Sequence, residues 1–372
     1  MKYFCPIVVT SYVPTRTNGR GLRTCGVITA LARLGPVDVA YVPFGGDAPA
    51  PDLVADDRIT LHQIRPSRGP RRLANTIAVT LTGTPWGLAK GASPELMALL
   101  RRADANDRII ADGPMAAAAV LRSARRRGDV YLAHNLESSF RGTAVLRRWE
   151  KRVLRAFSET WLPTHADMSA ARELAGDDIG LRYVPNVVDV AALPVPGERP
   201  GTGTALFVAD FQYPPNREGL DLLLREVMPR VWEGRPEASL NVVGRGLEQA
   251  PRDPRVRVLG FVDDLDAVYA EADAVVVPLL TGGGSPLKFV EALARGVPVV
   301  ATAHAARLIE HGSSGEEFIA ADGGPGLGDA LLSVLRGEHP GMGARGRELA
   351  DRHLSVDALA RLLAEAEPLA AT

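Results

Sequence analysis

Between residues 281 and 302 the chain reads TGGGSPLKFVEALARGVPVVAT. Three glycines run into Ser285 and Pro286, and an amphipathic stretch then carries a cation, Lys288, and a carboxylate, Glu291. Ser is preferred just before a helix and Pro fits its first position, where a missing N–H costs nothing. A helix is therefore predicted from there to about Arg295, stopped by Gly296 and Pro298. Its first amides, at Leu287 and Lys288, would point back past Gly283 and Gly284 with the helix dipole behind them, which suits an anion. Lys288 adds a full charge. Glu291, on the same face, can accept two hydrogen bonds from vicinal hydroxyls. Phosphate beside a diol is the chemistry of a nucleotide. The same two side chains also fit a plain i,i+3 surface pair worth about 0.2–0.5 kcal/mol, and both readings stand on this stretch alone.

A loop of this kind needs a strand before it and a sheet to hold that strand. Short apolar runs alternate with helical patterns along the whole chain, the mark of parallel α/β architecture. Residues 6–12 read as a strand, 18–35 as a glycine turn and helix, and 37–44 as the next strand. Strands follow at 108–112, 130–135 and 160–164, and helices at 93–103 and 142–157. The segment AALPVPGERPGTG (191–203), rich in proline and glycine and without apolar period, reads as a linker. A second series then begins, with strands at 205–210, 239–244, 256–262 and 274–279 and helices at 217–233 and 265–272. Two α/β units joined this way predict a cleft between them.

The stretch from VRVLGFV through ADAVVVP to EALARGVPVVAT (256–302) closely resembles the C-terminal donor domain of retaining glycosyltransferases of the GT-B fold, the family 4 group. Upstream, FVADFQYPPNREGLDLLLREVMP (207–229) is similar to that domain's first strand, loop and helix, and LNVVGRG (240–246) to its second strand and glycine turn. YVPNVVD (183–189) resembles the PNGVD that precedes it; NGRGLR (18–23) and YLAHNLES (131–138) resemble the first domain's glycine loop and central-strand histidine. The resemblance spans nearly the whole chain. It implies two facing Rossmann-like domains with an interdomain cleft: an acceptor-binding domain over 1–190, the linker, and a nucleotide-sugar-binding domain over 204–350. A C-terminal helix (351–372) is expected to pack back on the first domain.

The resemblance also implies roles. Glu291 takes the place of the second glutamate of a pair spaced eight apart, which holds the donor ribose. Gly283 stands where the first, sugar-contacting glutamate is usual; a subgroup with GxGxxxK in this loop shares that departure, and nothing about the donor sugar follows. Lys288 and the amides after Gly284 are implied to hold the diphosphate, with Ser285, Leu287, Gly244 and Val262 also in the donor site. At NREG the usual lysine is Glu218, leaving Arg217 as the phosphate cation or, equally, an exposed helix-start arginine. His134 ends a strand, the edge where α/β sheets bind ligands, and by resemblance approaches the transferred sugar; a satisfied buried histidine is the plain alternative. Gly19 and Gly21 let the first loop come close to diphosphate or acceptor, or make an ordinary turn. Asn135 and Glu137 are acceptor-binding candidates, or loop residues.

Charge and cysteine usage set the surroundings. The chain has 43 Lys+Arg against 44 Asp+Glu, yet residues 1–185 hold 26 against 17, so a basic first half precedes an acidic second half. The basic half carries clusters at Arg65, Arg68, Arg71 and Arg72, at Arg122 and Arg125–Arg127, and at Arg147, Arg148, Lys151, Arg152 and Arg155. A solvated surface, an anionic acceptor, or peripheral contact with an anionic membrane each suits them. Two cysteines, Cys5 and Cys25, lack metal-site spacing and predict reduced thiols in a cytoplasmic protein. The first residues do not resemble a secretory leader, and no apolar run is long enough to span a bilayer. High Arg, Ala, Gly and Pro usage points to a GC-rich bacterial genome.

The expected activity is transfer of a sugar from a UDP-, GDP- or dTDP-sugar to an acceptor hydroxyl with retention of configuration, without nucleic acid. No cofactor or metal is expected: no Asp-x-Asp metal motif is read, since DDLD (263–266) is better taken as a solvated turn. A catalytically silent homologue that binds sugar nucleotides is the alternative; an epimerase of the same fold would need acids not found here.

Overall fold

Short runs of β-branched and aliphatic residues become the strands of two all-parallel sheets. The computed structural model describes residues 6–43, 48–67, 69–81, 83–89, 93–103, 107–123, 128–247, 251 and 253–365. The first sheet has seven strands: β1 (Ile7–Thr10), β2 (Val37–Tyr41), β3 (Ile59–Gln63), β4 (Ile109–Asp112), β5 (Val130–Leu132), β6 (Glu159–Leu162) and β7 (Leu181–Tyr183). Their order is β3-β2-β1-β4-β5-β6-β7. Six strands make the second: β8 (Thr204–Val208), β9 (Ser239–Val243), β10 (Val256–Gly260), β11 (Ala274–Val277), β12 (Val299–Thr302) and β13 (Ile319–Ala321), in the order β10-β9-β8-β11-β12-β13. All residues of β1, β4, β11 and β12 are buried, as expected for strands covered by helices on both faces. Both sheets reverse strand order at one point, β1/β4 and β8/β11, where chain ends diverge and ligands bind in such folds.

The expected α/β fold with two Rossmann-like units is present; the division falls elsewhere. The first unit comprises Met1–Pro185 and Leu359–Thr372, the second Asn186–Ala358. Residues 191–203 are built into the second unit rather than left as a linker. Asp273 accepts hydrogen bonds from the amides of Gly201 (2.7 Å), Gly203 (2.6 Å) and Thr204 (3.0 Å), and Arg199 donates to the Tyr269 carbonyl. A buried carboxylate thus replaces the apolar pattern that sequence reading looks for. The ends of the second unit meet: Val188 pairs in parallel with Ser355, its amide donating to the Leu354 carbonyl (3.0 Å) and its carbonyl accepting from Val356 (3.1 Å). In place of one terminal helix over 351–372 there are two, Met342–His353 and Val356–Glu365. The single helix expected over 217–233 is three pieces: an α-helix Pro214–Leu222, a wider turn Leu223–Val227 and an α-helix Met228–Gly234. Pro229 has no amide to donate, and the wider turn accommodates the missing bond. Among the described residues no helix is long and apolar enough to cross a membrane.

Candidate functional site

The glycine loop leaves β11 at the strand reversal of the second sheet and leads into the helix Leu287–Ala294. Gly282 and Gly284 have φ of +110° and +71°, which glycine adopts without strain. Four contacts hold the loop. Asn186 Nδ2 donates to the Ser285 carbonyl (2.6 Å), His304 Nε2 to the Gly282 carbonyl (3.0 Å), the Thr281 hydroxyl to Glu218 (2.9 Å), and the Gly283 amide to the Tyr213 hydroxyl. The helix starts one residue later than the Ser-Pro pair suggests. Pro286 stands at the cap in an extended conformation and Ser285 makes no side-chain cap bond; its carbonyl is drawn to Asn186 instead. Leu287 and Lys288 still lead the helix, where amides have no intrahelical acceptor.

Lys288 is partly buried, with Nζ donating to Asn216 Oδ1 (2.6 Å) and lying 4.6 Å from the Phe207 ring centroid. Burial pulls its ammonium down to about 7, against the opposing pull of the Glu291 and Asp210 carboxylates. Glu291 is buried, and burial pushes its carboxyl up although Arg295 and Lys288 favour the charged form. Arg295 lies 3.8 Å from Glu291, is paired with Asp266 at 2.8 Å and stacks over Tyr269. The alternative of a solvent-exposed Lys288–Glu291 pair is therefore overturned: neither group sits in bulk water, and Glu291 has Arg295 as its ion-pair partner. DDLD is likewise no mere solvated turn, since Asp264 caps the helix Leu265–Ala270 and Asp266 engages Arg295.

The first unit builds a second polar cluster at its own strand reversal. Asp112 ends β4, almost fully buried, and His134 follows β5 with Nε2 2.8 Å from Asp112 Oδ1. The other oxygen accepts from the Thr24 hydroxyl (2.8 Å), and Thr10 adds a further hydrogen bond. Burial pushes the Asp112 carboxyl up, but His134, Thr24 and Thr10 together outweigh it and leave it below the usual carboxylate value. Gly113, at φ +77°, passes against the imidazole: a Cβ there would be 3.6 Å from its Cδ2. Behind the ring, buried Arg23 donates to the carbonyls of Ala133 (3.1 Å) and Val184 (2.8 Å). The imidazole is held by one edge, which leaves Nδ1 as the nitrogen that can meet a ligand.

The remaining candidates divide. Arg217 is exposed and gives its Nε to the Phe211 carbonyl, so it pins the loop after β8. Gly244 borders the same loop; a Cβ there would be 1.6 Å from the Ala209 carbonyl oxygen. Val262 is half-buried against the apolar core of the second unit. Gly21 donates to the Asn18 side chain (2.9 Å), and a Cβ on it would press on the Thr15 carbonyl; Gly19 opens that helix. Asn135 is half-buried, and its buried Oδ1 has no hydrogen-bond partner among the described residues. Glu137 opens a short helix whose first amides, its own and that of Ser138, donate to buried Glu150 (2.8 and 3.1 Å). Sequence reading missed Asp112, Asn216, Asn186 and Glu150. Asp112 had a signal, because it ends a strand just as His134 does; the other three act through side-chain bonds that no spacing announces. Arg68 and Arg125–Arg127 lie outside the described residues.

Comparison with known proteins follows the same lines. Residues 202–336 match the family model described as Glycosyl transferases group 1. A phosphatidyl-myo-inositol mannosyltransferase of Mycobacterium leprae (strain TN) is 32% identical over 212 residues, 54% of this chain and 54% of that protein. The match thus spans about half the length of that curated relative. HepE of Anabaena, solved with UDP and glucose, superposes with a TM-score of 0.73 at 17% identity over 97% of this chain and 98% of its own. Sucrose-phosphate synthase of Thermosynechococcus elongatus does so with 0.71 at 17% identity, with the same coverage. Residues 202–336 thus match a glycosyl transferases group 1 domain, within a chain that has the GT-B fold.

Proposed function

We propose that the chain is a glycosyltransferase that moves a sugar from a nucleoside diphosphate to an acceptor hydroxyl with retention of configuration. The observation that carries this reading is the pairing of Lys288 and buried Glu291 on one helix, behind a glycine loop, in a domain of this family. Lys288 and the first helix amides offset charge on the departing diphosphate, and Glu291 takes the ribose diol. His134 contacts the transferred sugar, with Asn135 and Glu137 on the acceptor side. The sugar–phosphate bond breaks as the acceptor oxygen bonds to the same face of the anomeric carbon, and the acceptor proton passes to the leaving phosphate. Stabilising that leaving group is the protein's main contribution, and the reading requires no metal. HepE was solved with UDP and glucose and the curated relative is a mannosyltransferase, so UDP- and GDP-sugars are the first donors to test, with dTDP-sugars beside them.

Gly283, in place of a carboxylate, favours one other reading: a silent homologue that binds sugar nucleotides without transfer. Thermal-shift screening with a panel of donors, followed by proton NMR of the product's anomeric signal, separates the two. Binding raises the melting temperature under both. Only the transferase yields product, and an inverted anomer would sink the retaining mechanism.

Two site substitutions follow. Glu291→Ala is expected to weaken nucleoside diphosphate binding about ten- to hundredfold, the size of losing hydrogen bonds to a charged group. Calorimetric titration checks it; unchanged affinity would remove Glu291 from the ribose site. Lys288 predicts a proton linkage. Its ordinary value of 10.5 falls to about 7 in the folded chain, so the unfolded chain binds more protons between these limits and stability rises with pH across them. A bound diphosphate favours the charged ammonium. Binding above pH 7 should therefore take up a proton, and affinity should fall as pH rises. Calorimetry at about pH 8 in buffers of different ionisation enthalpy should show that uptake in the wild type and none in Lys288→Met.

A further inference from the structure

Beyond the transfer reaction, we infer that two helices of the first unit, Gly69–Thr80 and Ala144–Ala156, form a docking face for an anionic lipid surface. On the first helix Leu73 and Ile77, with Leu81 just past its end, recur every four residues and are 53%, 44% and 82% exposed. Trp86 follows, 48% exposed. An aliphatic stripe on a helical period normally faces a core; this one faces out. Residues 58–94 contain six Lys or Arg and no acid. The second helix presents Arg148, Arg152 and Arg155 to solvent, and its one acid, Glu150, is buried beneath the short helix at Glu137. Arg152 reaches the turn that follows the first helix: a Cβ at Gly83 would lie 2.9 Å from its Nη2.

Apolar side chains flanked by cations, with an exposed Trp and no exposed acid on either helix, match the bilayer interface. There the acyl boundary takes the stripe and anionic headgroups take the arginines. A protein partner would have to offer both an acidic rim and a groove for three aliphatic chains one turn apart. This proposal does not depend on the reaction or on the donor.

Flotation of the full chain with phosphatidylcholine vesicles, with and without about 30 mol% phosphatidylglycerol, at about 0.1 M and about 0.5 M salt tests it. The wild type should float with the anionic vesicles only, and less at high salt. The triple variant Leu73→Gln/Ile77→Gln/Leu81→Gln and the double variant Arg148→Glu/Arg152→Glu should each bind roughly tenfold more weakly. If the triple variant melts early by circular dichroism, Leu81→Gln alone serves in its place and should weaken binding roughly threefold. Absence of flotation, binding indifferent to lipid charge, or variants that float like the wild type would overturn the proposal. A concentration-dependent dimer in light scattering, dissolved by the stripe variant, would assign the face to a second copy of the chain instead.

Discussion

Gly244→Ala is expected to destabilise the second unit severely. The residue sits just after β9 with φ +139°, and an added Cβ would stand 1.6 Å from the Ala209 carbonyl oxygen. The Cβ position is fixed by the backbone and the oxygen is a backbone atom, so no side-chain rotation relieves the overlap. The loop after β8 is held in place by the Ala209 amide bonded to Val243 and the Phe211 amide bonded to Arg245 (2.8 Å each). Relief would mean breaking that ladder at the strand reversal. A cost of about 4 kcal/mol or more is expected, against a total stability of about 5–15 kcal/mol for an ordinary domain. Gly35→Ala is the control: nothing lies within 4 Å of its Cβ position, and its effect should stay within about 0.5 kcal/mol. Urea melts followed by tryptophan fluorescence and circular dichroism measure both. A Gly244→Ala variant as stable as the control would show that the two loops part easily, and the close approach would lose its structural meaning.

Turnover should fall about 10²- to 10³-fold in His134→Ala, the size of losing a positioned side chain that can accept a hydrogen bond or proton at the reacting group, with nucleoside diphosphate affinity nearly unchanged. Asp112→Asn is the more informative partner. The amide would keep the shape and still accept from Thr24, but it would present either a donor or a neutral acceptor to Nε2 where a carboxylate stood. The ring would then lose the bond that selects the Nε2–H form and leaves Nδ1 outward. Nitrogen-15 NMR of the imidazole should show that form in the wild type and a mixture in Asp112→Asn, with turnover down about tenfold or more. Equal losses in nucleotide binding and melting temperature for His134→Ala would mark the histidine as structural.

The repeated strand–helix pattern, the two units and the glycine-loop helix were legible from residue types, because burial in a parallel sheet forces continuous apolar runs and helix ends have local signals. Burial of polar groups was not. Nothing in the spacing of Lys288 and Glu291 says that the first leans on Asn216 and Phe207 or that the second is enclosed with Arg295. Those neighbours come from residues far along the chain. Asp273 shows the same limit, since one carboxylate collecting three amides made an ordered segment out of residues that read as a linker. Glu218 was noticed for the lysine it replaces; its bond to Thr281 shows that the position now steadies the loop.

The parallel bridge between Val188 and Ser355 brings the entry and exit of the second unit side by side. Topologically the first unit is a host into which residues 186–358 are spliced as a guest, cut from neither end of the chain. A guest with touching ends can be lifted out, closed with a short peptide and moved without rethreading either sheet. Exchange of whole second units between hosts is therefore open to this architecture by recombination at two neighbouring points, with the first unit retained.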